Sequence, residues 1–479
     1  FNYMRSFNQA VSYLQIIKSK KYQRRGFAAM IILLGLVLIT PNLAVITGGA
    51  ADEFNQFDRF ESQAQIPTDE RERLADPRGG ITVVTDHREG NIVALNPNGT
   101  LLYHNDTHDG YWDVDPSPEG SRTVLYSATD EITNSSVCKP VDDQDYCIEQ
   151  MIKRENLTTG ETTVLYSRID PRYVASEWHD VDRINDTHFA VADMYQDEVF
   201  IINVKTGIVT WEWGLQNQFS LTTGNQYPRD WAHLNDVEIL QDGRIMISPR
   251  NQDQILFINR TQGVDESWTI GSEGEHEVLF EQHNPDYIPR ERGGPAVVIA
   301  DSENNRIVEY QRTSNGEWNR SWIWQDRQMQ WPRDADRLPN GHTLIADTGS
   351  NRIIEVNQSG DIVWQFDYPR NYEVERLNTG DESTGGQSAL EENLTSVSVD
   401  SRLAPDTGGD DINPLFAVYY LIKQQLPNKV VNGLVNGTPV WMKFPDILVS
   451  VALSLTLIVW VTAECYWSTL SLQFPVTRQ

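Results

Sequence analysis

Runs of alternating apolar and polar residues are most regular between Trp331 and Phe366. His342–Ala346, Arg352–Val356 and Asp361–Trp364 alternate in this way, and clusters of Gly, Pro and Asn separate them. A period of two indicates strands with one buried face, and the intervening clusters indicate tight turns. The segment is therefore predicted to be a meander of antiparallel strands, which cannot bury its apolar face alone.

The same unit recurs along the chain at intervals of about 45 to 55 residues. Its six copies begin near Ile81, Tyr111, Trp178, Trp231, Phe280 and Trp331. Six such units are typical of a propeller, in which four-stranded blades surround a channel. We predict an all-β fold, a six-bladed β-propeller over residues 80–370. The first copy lacks its opening strand, which residues 50–78 or 370–410 would have to supply.

Residues that open the repeats should meet at one mouth of the channel, because the innermost strand of each blade lines the axis. Three of the nine histidines in the chain occupy this position. The candidates are Asp113, His179, His233 with Asn235, His283, and Arg333 with Asp334, together with Arg250 directly after the second strand of its repeat. Neutral imidazoles beside guanidinium groups indicate an anion-binding pocket.

Two other interpretations of these residues stay open. Polar side chains at blade starts can bond neighbouring backbones and act as structural latches. Three histidines can also bind zinc, although the sequence has neither an HExxH motif nor a close histidine pair. We expect no metal and no cofactor, and no Gly-x-x-x-x-Gly-Lys phosphate loop is present in the sequence.

The charge of the chain narrows the range of partners. Its 479 residues carry a formal net charge of -29, with a pI near 4.6. Between residues 50 and 410 the only lysines are Lys139, Lys153 and Lys205. Such a surface repels nucleic acid and anionic lipid, so neither is expected to bind the folded region. Acidic residues interspersed with strand patterns favour the coat of a folded halophilic protein over disordered acidic tails.

Two apolar segments lie outside the acidic body. Residues 27–47 contain no charged residue and follow a basic tail at residues 1–26, which predicts a transmembrane helix with its amino end inside the cell. A cleaved signal peptide is the alternative. Residues 447–467 predict a second transmembrane helix, followed by a short cytoplasmic tail at 468–479. We predict a stalk at 48–79 and an acidic linker with a juxtamembrane segment at 371–446.

Further features favour a cell-membrane protein whose propeller lies outside the cell. Cys138 and Cys147 fall in one loop and are predicted to form a disulfide, with two free thiols as the alternative. Sequons for N-glycosylation recur at Asn98, Asn105, Asn134, Asn156, Asn185, Asn259, Asn319, Asn357, Asn393 and Asn436. The predicted partners are thus the lipid bilayer, through the two helices, and N-glycans.

Four stretches of the chain resemble the arylsulfotransferases, in particular the membrane-anchored branch found in halophilic archaea. They are Trp231–Ile255, Glu281–Pro285, Ala300–Tyr310 and Trp331–Val356. Their His-x-Asn, Ser-x-Arg and Gln-His elements carry the resemblance, which spans roughly residues 80–370. It implies a six-bladed propeller that moves a sulfuryl group from an aryl sulfate to a phenol, without the nucleotide donor PAPS, through a sulfohistidine.

The resemblance also implies roles for individual residues. By motif order, the nucleophile is His283. His233 and Asn235 match the His-x-Asn pair, Arg250 matches a sulfate-binding arginine, and His179 matches an earlier histidine more loosely. His233 or His179 would move protons, while Arg250 and Asn235 would bind sulfuryl oxygens.

One element of some family members has no counterpart here. No lysine lies between Lys205 and Lys423 to match a Lys-Thr element, and Arg333 is the expected substitute in substrate binding. Two rival hypotheses remain at this stage. One is a non-catalytic cell-surface propeller that binds glycan or protein, and the other is a metal-dependent, lactonase-like propeller.

Overall fold

The computed structural model describes residues 56–118, 120–142, 145–172, 176–398, 425–437 and 444–467, with residues 24, 26–32 and 423. Several predictions fall wholly or mostly outside these residues. They concern the basic tail at 1–26, the first transmembrane helix at 27–47, the start of the stalk, the middle of the acidic linker and the tail at 468–479. Residues 26–32 of the first predicted span are helical.

Six antiparallel sheets form the body of the protein, which confirms the predicted all-β six-bladed propeller. The first blade contains β25 (Asn371–Arg376), β1 (Thr82–Asp86), β2 (Asn91–Leu95) and β3 (Leu101–Asn105), and the second contains β4 (Gly110–Pro116), β5 (Thr123–Ile132), β6 (Cys147–Asn156) and β7 (Glu161–Asp170). The third blade contains β8 (Trp178–Arg183), β9 (His188–Asp193), β10 (Glu198–Asn203) and β11 (Ile208–Gly214), and the fourth contains β12 (Leu234–Ile239), β13 (Ile245–Pro249), β14 (Gln254–Asn259), β15 (Gly263–Val264) and β16 (Ile270–Gly271). The fifth blade contains β17 (His283–Ile288), β18 (Ala296–Asp301), β19 (Arg306–Arg312) and β20 (Trp318–Trp324), and the sixth contains β21 (Asp334–Arg337), β22 (Thr343–Asp347), β23 (Arg352–Val356) and β24 (Ile362–Asp367).

The missing strand of the first blade comes from the carboxyl side of the sixth. Strand β25 pairs antiparallel with β1, with Thr82 opposite Arg376 and Val84 opposite Val374. The predicted linker at 371–446 is therefore wrong at its start. The acidic residues of this segment suggested that it is solvated, but Glu373 and Glu375 are buried on β25, the innermost strand of the first blade.

Apolar clusters fill the gaps between neighbouring blades. Between the third and fourth blades, for example, Val199 and Ile201 pack with Ile245 and Ile247. Equivalent clusters join each of the other five pairs of neighbours. Fully burying each such aliphatic side chain stabilises the fold by about 1.5–3 kcal/mol, so the blades hold one another in place.

Residues 56–79 differ from the predicted stalk. Helix α1 (Gln56–Ala64) buries Phe60 completely, with its ring 5.4 Å from the ring of Tyr368. Farther along, Arg78 forms an ion pair with Glu355 at 2.9 Å. The many charged residues of this segment led to the prediction of a solvated stalk, but its buried Phe60 and the Arg78 ion pair join it to the propeller.

A short helix and a disulfide interrupt the second blade. Helix α2 (Ser135–Asp142) lies between β5 and β6. Cys138 on this helix is bonded to Cys147 at the start of β6, with an S–S distance of 2.14 Å. The predicted pairing is thus present, and it ties the inserted loop to the blade.

Two helices follow the propeller, α3 (Asn428–Asn436) and α4 (Phe444–Trp467). Residues Gln56–Asp411 and Leu426–Asn432 form one compact unit, and α4 belongs to a second unit. Among the described residues, no helix meets the length and apolarity needed to cross a membrane. The predicted spans at 27–47 and 447–467 therefore stay predictions.

Candidate functional site

The innermost strands of all six blades share one order of side chains. A large polar or aromatic residue comes first, then an acid or amide, an apolar residue and a second acid. These tetrads are Trp112–Asp115, His179–Asp182, Asn235–Glu238, His283–Asp286, Arg333–Asp336 and Tyr372–Glu375. First-position residues of neighbouring blades contact one another, as Trp112 contacts His179 and His179 contacts Asn235, so equivalent positions of the tetrads form rings in the channel.

The first ring forms an aromatic and basic cluster. The rings of Trp112 and His179 stack at 4.3 Å, and the Tyr372 hydroxyl lies 3.2 Å from His179 Nδ1. The Arg333 guanidinium lies 5.1 Å from the Tyr372 ring, a cation–π distance. Side chains from four blades thereby converge on one mouth of the channel.

His283 is held in a single tautomer. Its Nδ1 lies 2.8 Å from the hydroxyl oxygen of Ser302, and that hydroxyl donates its own proton to the carbonyl oxygen of Pro332 at 2.7 Å. Ser302 must therefore accept a hydrogen bond from His283 Nδ1–H. The lone pair of the neutral imidazole is then on Nε2, the atom a nucleophile would use.

His179 is oriented in a similar way by Asn235. The amide nitrogen of Asn235 donates to the carbonyl oxygen of Gln282 at 3.1 Å, and its oxygen lies 3.0 Å from His179 Nδ1. His179 therefore donates through Nδ1 and leaves Nε2 as an acceptor. Because both polar atoms of Asn235 are engaged, this residue positions His179, in contrast to the expected contact with sulfuryl oxygens.

His233 lies directly before the fourth inner strand in a left-handed conformation, with φ of 53°. Its Nδ1 hydrogen bonds to Asp230, and the Arg250 guanidinium lies 3.7 Å from the same carboxylate. The rings of His233 and His179 are 5.2 Å apart. His233, Arg250 and His179 are thus neighbours, as the sequence predicted.

Arg333 brings an unpredicted histidine into the pocket. Its Nη1 lies 2.9 Å from Nε2 of His87, which directly follows β1. Among the described residues, neither Arg333 Nε nor the indole N–H of Trp331 has a hydrogen-bond partner, although both atoms are buried. The unpaired N–H of the Arg333 guanidinium and the unpaired indole N–H of Trp331 are suited to donate hydrogen bonds to the oxygens of an anion.

The electrostatics keep the imidazoles neutral. Burial lowers the pKa of His283 well below its usual value, with further lowering by Arg333 and Arg250. Burial likewise lowers the pKa of His87 and of His179, and it lowers that of His233 to about 4. Burial lowers the pKa of Arg333 only to about 10, so this guanidinium stays charged at pH 7.

The structure thus brings together six of the eight residues singled out from the sequence, His179, His233, Asn235, Arg250, His283 and Arg333. Asp113 and Asp334 lie one ring deeper, where they accept backbone N–H groups of the next blade.

Several pocket residues escaped the sequence prediction. They are His87, Trp112, Asp230, Ser302, Trp331 and Tyr372. A signal for His87 existed, since it follows β1 just as Arg250 follows β13 and Ser302 follows β18. Because the repeat pattern already shows that the first copy lacks its opening strand, this equivalence could have identified His87 from the sequence.

The rim of the pocket holds part of the chain that follows the propeller. Lys429 of α3 forms an ion pair with Glu281, and Asn432 donates a hydrogen bond to Glu303 at 2.8 Å. Asn432 is buried. The segment Leu426–Asn432 therefore contacts Glu281 and Glu303, which lie close in sequence to His283 and Ser302.

Residues 179–295 match the family model described as arylsulfotransferase (ASST). The matched range contains His179, His233, Asn235, Arg250 and His283 and supports the arylsulfotransferase family for this chain. No curated protein matches the chain.

Solved structures that are similar to this chain include a protein of unknown function from Bacteroides caccae, with 12% identity, a TM-score of 0.41, and coverage of 62% of this chain and 97% of that one. A chain of a nidogen/laminin complex has 12% identity, a TM-score of 0.41, and coverage of 62% and 100%. A streptogramin B lyase has 13% identity, a TM-score of 0.36, and coverage of 64% and 84%.

Proposed function

We propose that the protein transfers a sulfuryl group from an aryl sulfate donor to a phenolic acceptor through a sulfohistidine, without PAPS. The observation that carries this proposal is the His283 imidazole, whose Nδ1–H donates to Ser302 so that its lone pair is on Nε2. Burial, and after it the charges of Arg333 and Arg250, lower the pKa of this imidazole. The family match supports sulfuryl transfer in general.

In the first half-reaction, Nε2 of His283 attacks sulfur, an N–S bond forms, and the S–O bond to the aryl group breaks with its electron pair on the phenolate. The imidazole keeps its Nδ1 proton and becomes cationic, and the Ser302 oxygen continues to accept that proton's hydrogen bond. Arg250 and Arg333 offset the negative charge on the sulfuryl oxygens and the leaving oxygen.

In the second half-reaction, a phenol oxygen attacks sulfur and the N–S bond breaks, which returns the electron pair to Nε2. The phenol proton goes to the unprotonated Nε2 of His179 or His233. Asn235 fixes the tautomer of His179, and Asp230 does the same for His233. Because the imidazoles are neutral at pH 7, they are ready to act as nucleophile and base.

The chemistry needs no intracellular nucleotide, so it can operate outside the cell. We propose that the propeller is exported and held at the cell membrane by the two apolar segments, with N-glycans on exposed sequons. The Cys138–Cys147 disulfide supports an oxidising compartment. Protease treatment of intact cells would test this: cleavage of the propeller is expected, and full protection would contradict it.

Pre-steady-state kinetics with 4-nitrophenyl sulfate and no acceptor test the reaction. We expect a burst of about one nitrophenolate per chain and a gain of one sulfuryl group on the His283 peptide. His283→Ala should abolish both, whereas His188→Ala, a change at a partly buried histidine at the start of β9, should leave both unchanged. A folded wild-type protein that binds the ester without any burst would refute the proposal and favour a non-catalytic propeller.

A further inference from the structure

Carboxylates fill the channel below the pocket. The second and fourth positions of the six inner-strand tetrads provide eleven acids and one amide, Asn284. Many of the second-position acids have a structural role, since Asp113, Asp180, Asp334 and Glu373 accept the backbone N–H of Val181, Val237, Val374 and Val114, respectively, on a neighbouring blade. Latches of this kind account for one oxygen of each of those four carboxylates.

Asp115 is not accounted for in this way. It is only 3% exposed, and its Oδ1 has no hydrogen-bond partner among the described residues. The charged neighbours with the largest effect on its pKa are four carboxylates, Asp113, Asp381, Asp182 and Asp180, which together with burial raise that pKa well above its usual value.

Two groups of ligand atoms meet at Asp115. One group consists of Asp113, Asp115 and Glu373, and the other of Asp115, Asp182 and Asp381. In each group, one carboxylate oxygen from every residue lies within 4.8 Å of the others. Two oxygens on opposite sides of a calcium ion are about 4.6–5.2 Å apart, so these spacings suit calcium.

A neutral oxygen adds a separate observation. Asn284 donates a hydrogen bond from its amide nitrogen to Glu373 at 3.1 Å, so this amide contacts a member of the first group. The carbonyl oxygen of the same amide is buried and has no partner among the described residues, and Asn284 is 7% exposed. An unpaired amide oxygen beside carboxylates is a calcium ligand type, and it does not arise from acidic composition.

The second group depends on the chain beyond the last strand. After β25, the chain turns back under the propeller, and a short helical turn at Glu382–Gly385 follows Asp381. The Ser383 hydroxyl of this turn donates one hydrogen bond to Asp286 and accepts one from the backbone N–H of Arg337. The turn is thereby anchored to the fifth and sixth blades, and it brings Asp381 to Asp115.

We propose that the channel binds a calcium ion at Asp115, with ligands from Asp113, Glu373, Asp182, Asp381 and the carbonyl oxygen of Asn284. The donor set contains only oxygen atoms, which selects a hard cation over zinc or copper. Carboxylates from the first, second and third blades would then share one ion, so that it joins the strand that closes the ring to its neighbours. This site is structural and lies apart from the sulfuryl-transfer pocket.

Metal analysis and thermal unfolding of the full chain test the proposal. Protein stripped with a chelator and desalted should take up about one calcium per chain, and calcium at about 100 times its Kd should raise Tm by roughly 4 °C. Magnesium at the same concentration should raise Tm less, because it requires tighter octahedral geometry. An equal effect of magnesium would overturn the assignment to calcium.

Asp115→Asn separates a calcium site from a channel of protonated acids. We expect this variant to lose both the bound calcium and the calcium-dependent rise in Tm, while Asp361→Asn, a change at an exposed acid of the sixth blade, keeps both. The proposal fails if stripped wild-type protein shows the same Tm with and without calcium. It also fails if Asp115→Asn retains the calcium response. Since the readouts are metal content and Tm, they are independent of sulfuryl transfer.

Discussion

The two halves of the channel differ in charge although the same six strands build both. The first residue of each tetrad contributes imidazole, guanidinium, amide or aromatic groups, whereas the fourth is an acid in every blade. Strands rise about 3.3 Å per residue, so these environments are only about 10 Å apart. The tetrad position whose residue varies between blades therefore carries the candidate chemistry, whereas the position that is an acid in every blade belongs to the scaffold.

Polar residues at blade starts could be structural latches or parts of an anion-binding pocket, and the two halves of the channel differ in this respect. The acids of the second position do act as latches between blades, as Asp113 and Asp334 show. His283 and His179 instead bond to Ser302 and Asn235 and keep one ring nitrogen available. The latch interpretation thus holds for the acids and fails for these two histidines.

Removing a guanidinium from the mouth should give the largest effect. Arg333→Ala is expected to lower kcat/KM for aryl sulfate by about 100- to 1,000-fold, because it removes a charge from the transition state. Arg333→Lys should recover little, since an ammonium cannot reproduce the bidentate geometry. Initial rates of nitrophenolate release measure both. Arg320→Ala, at an exposed arginine of the fifth blade, is the control. An equal loss of kcat/KM in that variant would contradict a specific role of Arg333 in the pocket.

Ser302→Ala should reduce kcat by about 10- to 100-fold with little change in KM. The substitution removes the acceptor for His283 Nδ1–H, so the imidazole can adopt the tautomer with its lone pair on the wrong nitrogen. Ser302→Thr, which keeps the hydroxyl, should restore most of the rate. A change in KM alone would mean that Ser302 shapes the pocket without controlling the tautomer.

The acidic half should make the stripped protein less stable as pH rises from 7 to 9. Burial raises the pKa of Asp180 and of Asp334 to about 7, so most of their contribution is already lost between the unfolded carboxyl pKa of about 4 and pH 7. Burial and neighbouring carboxylates raise the pKa of Asp236 and of Asp336 well above its usual value, so these two groups stabilise the fold while protonated and lose that contribution at higher pH. The buried histidines have the opposite sign, because their folded pKa values are lowered, but their contribution is complete above about pH 6.5.

Melting curves at several pH values, with chelator and with calcium, measure this effect. We expect Tm to fall by several degrees between pH 7 and 9 with chelator, and to fall less with calcium, which favours ionised carboxylates. A stripped protein whose Tm rises over this range would contradict the assignment of raised pKa values to the channel.

The basic half should show the smallest response to pH. Since the pKa of His233 is about 4 and that of His283 is also lowered, both imidazoles are neutral from pH 5 to 8. The sulfuryl-transfer rate with an activated aryl sulfate should therefore change less than about twofold over this interval. Burst rate constants measured across the interval check this. A fall of about tenfold per unit below pH 6.5 would indicate an unshifted histidine.

The repeat pattern predicted the six blades and the six leading pocket residues, because strand alternation and equivalent positions are local properties. It could not predict how the ring closes, since the acids of β25 resemble those of a solvated linker. Trp112 and Tyr372 were missed for related reasons. Trp112 precedes Asp113, the residue that was aligned with the histidines, and Tyr372 lies on the unrecognised strand.

The stalk prediction failed for a different reason. In helix α1 one fully buried aromatic residue, Phe60, outweighs a mostly polar sequence, and its contacts with Phe366 and Tyr368 are distant in sequence. Local sequence could not predict these contacts, because they form only when the sixth blade packs beside the first.

The pairing of β25 with β1 has a consequence for biosynthesis. Tyr372 and Glu373 are placed only when the strand that contains them joins a blade that began almost 300 residues earlier. A growing chain that has not reached Arg376 can form separate blades, but it lacks a complete pocket. The appearance of sulfuryl-transfer activity during synthesis would therefore report that the ring has closed.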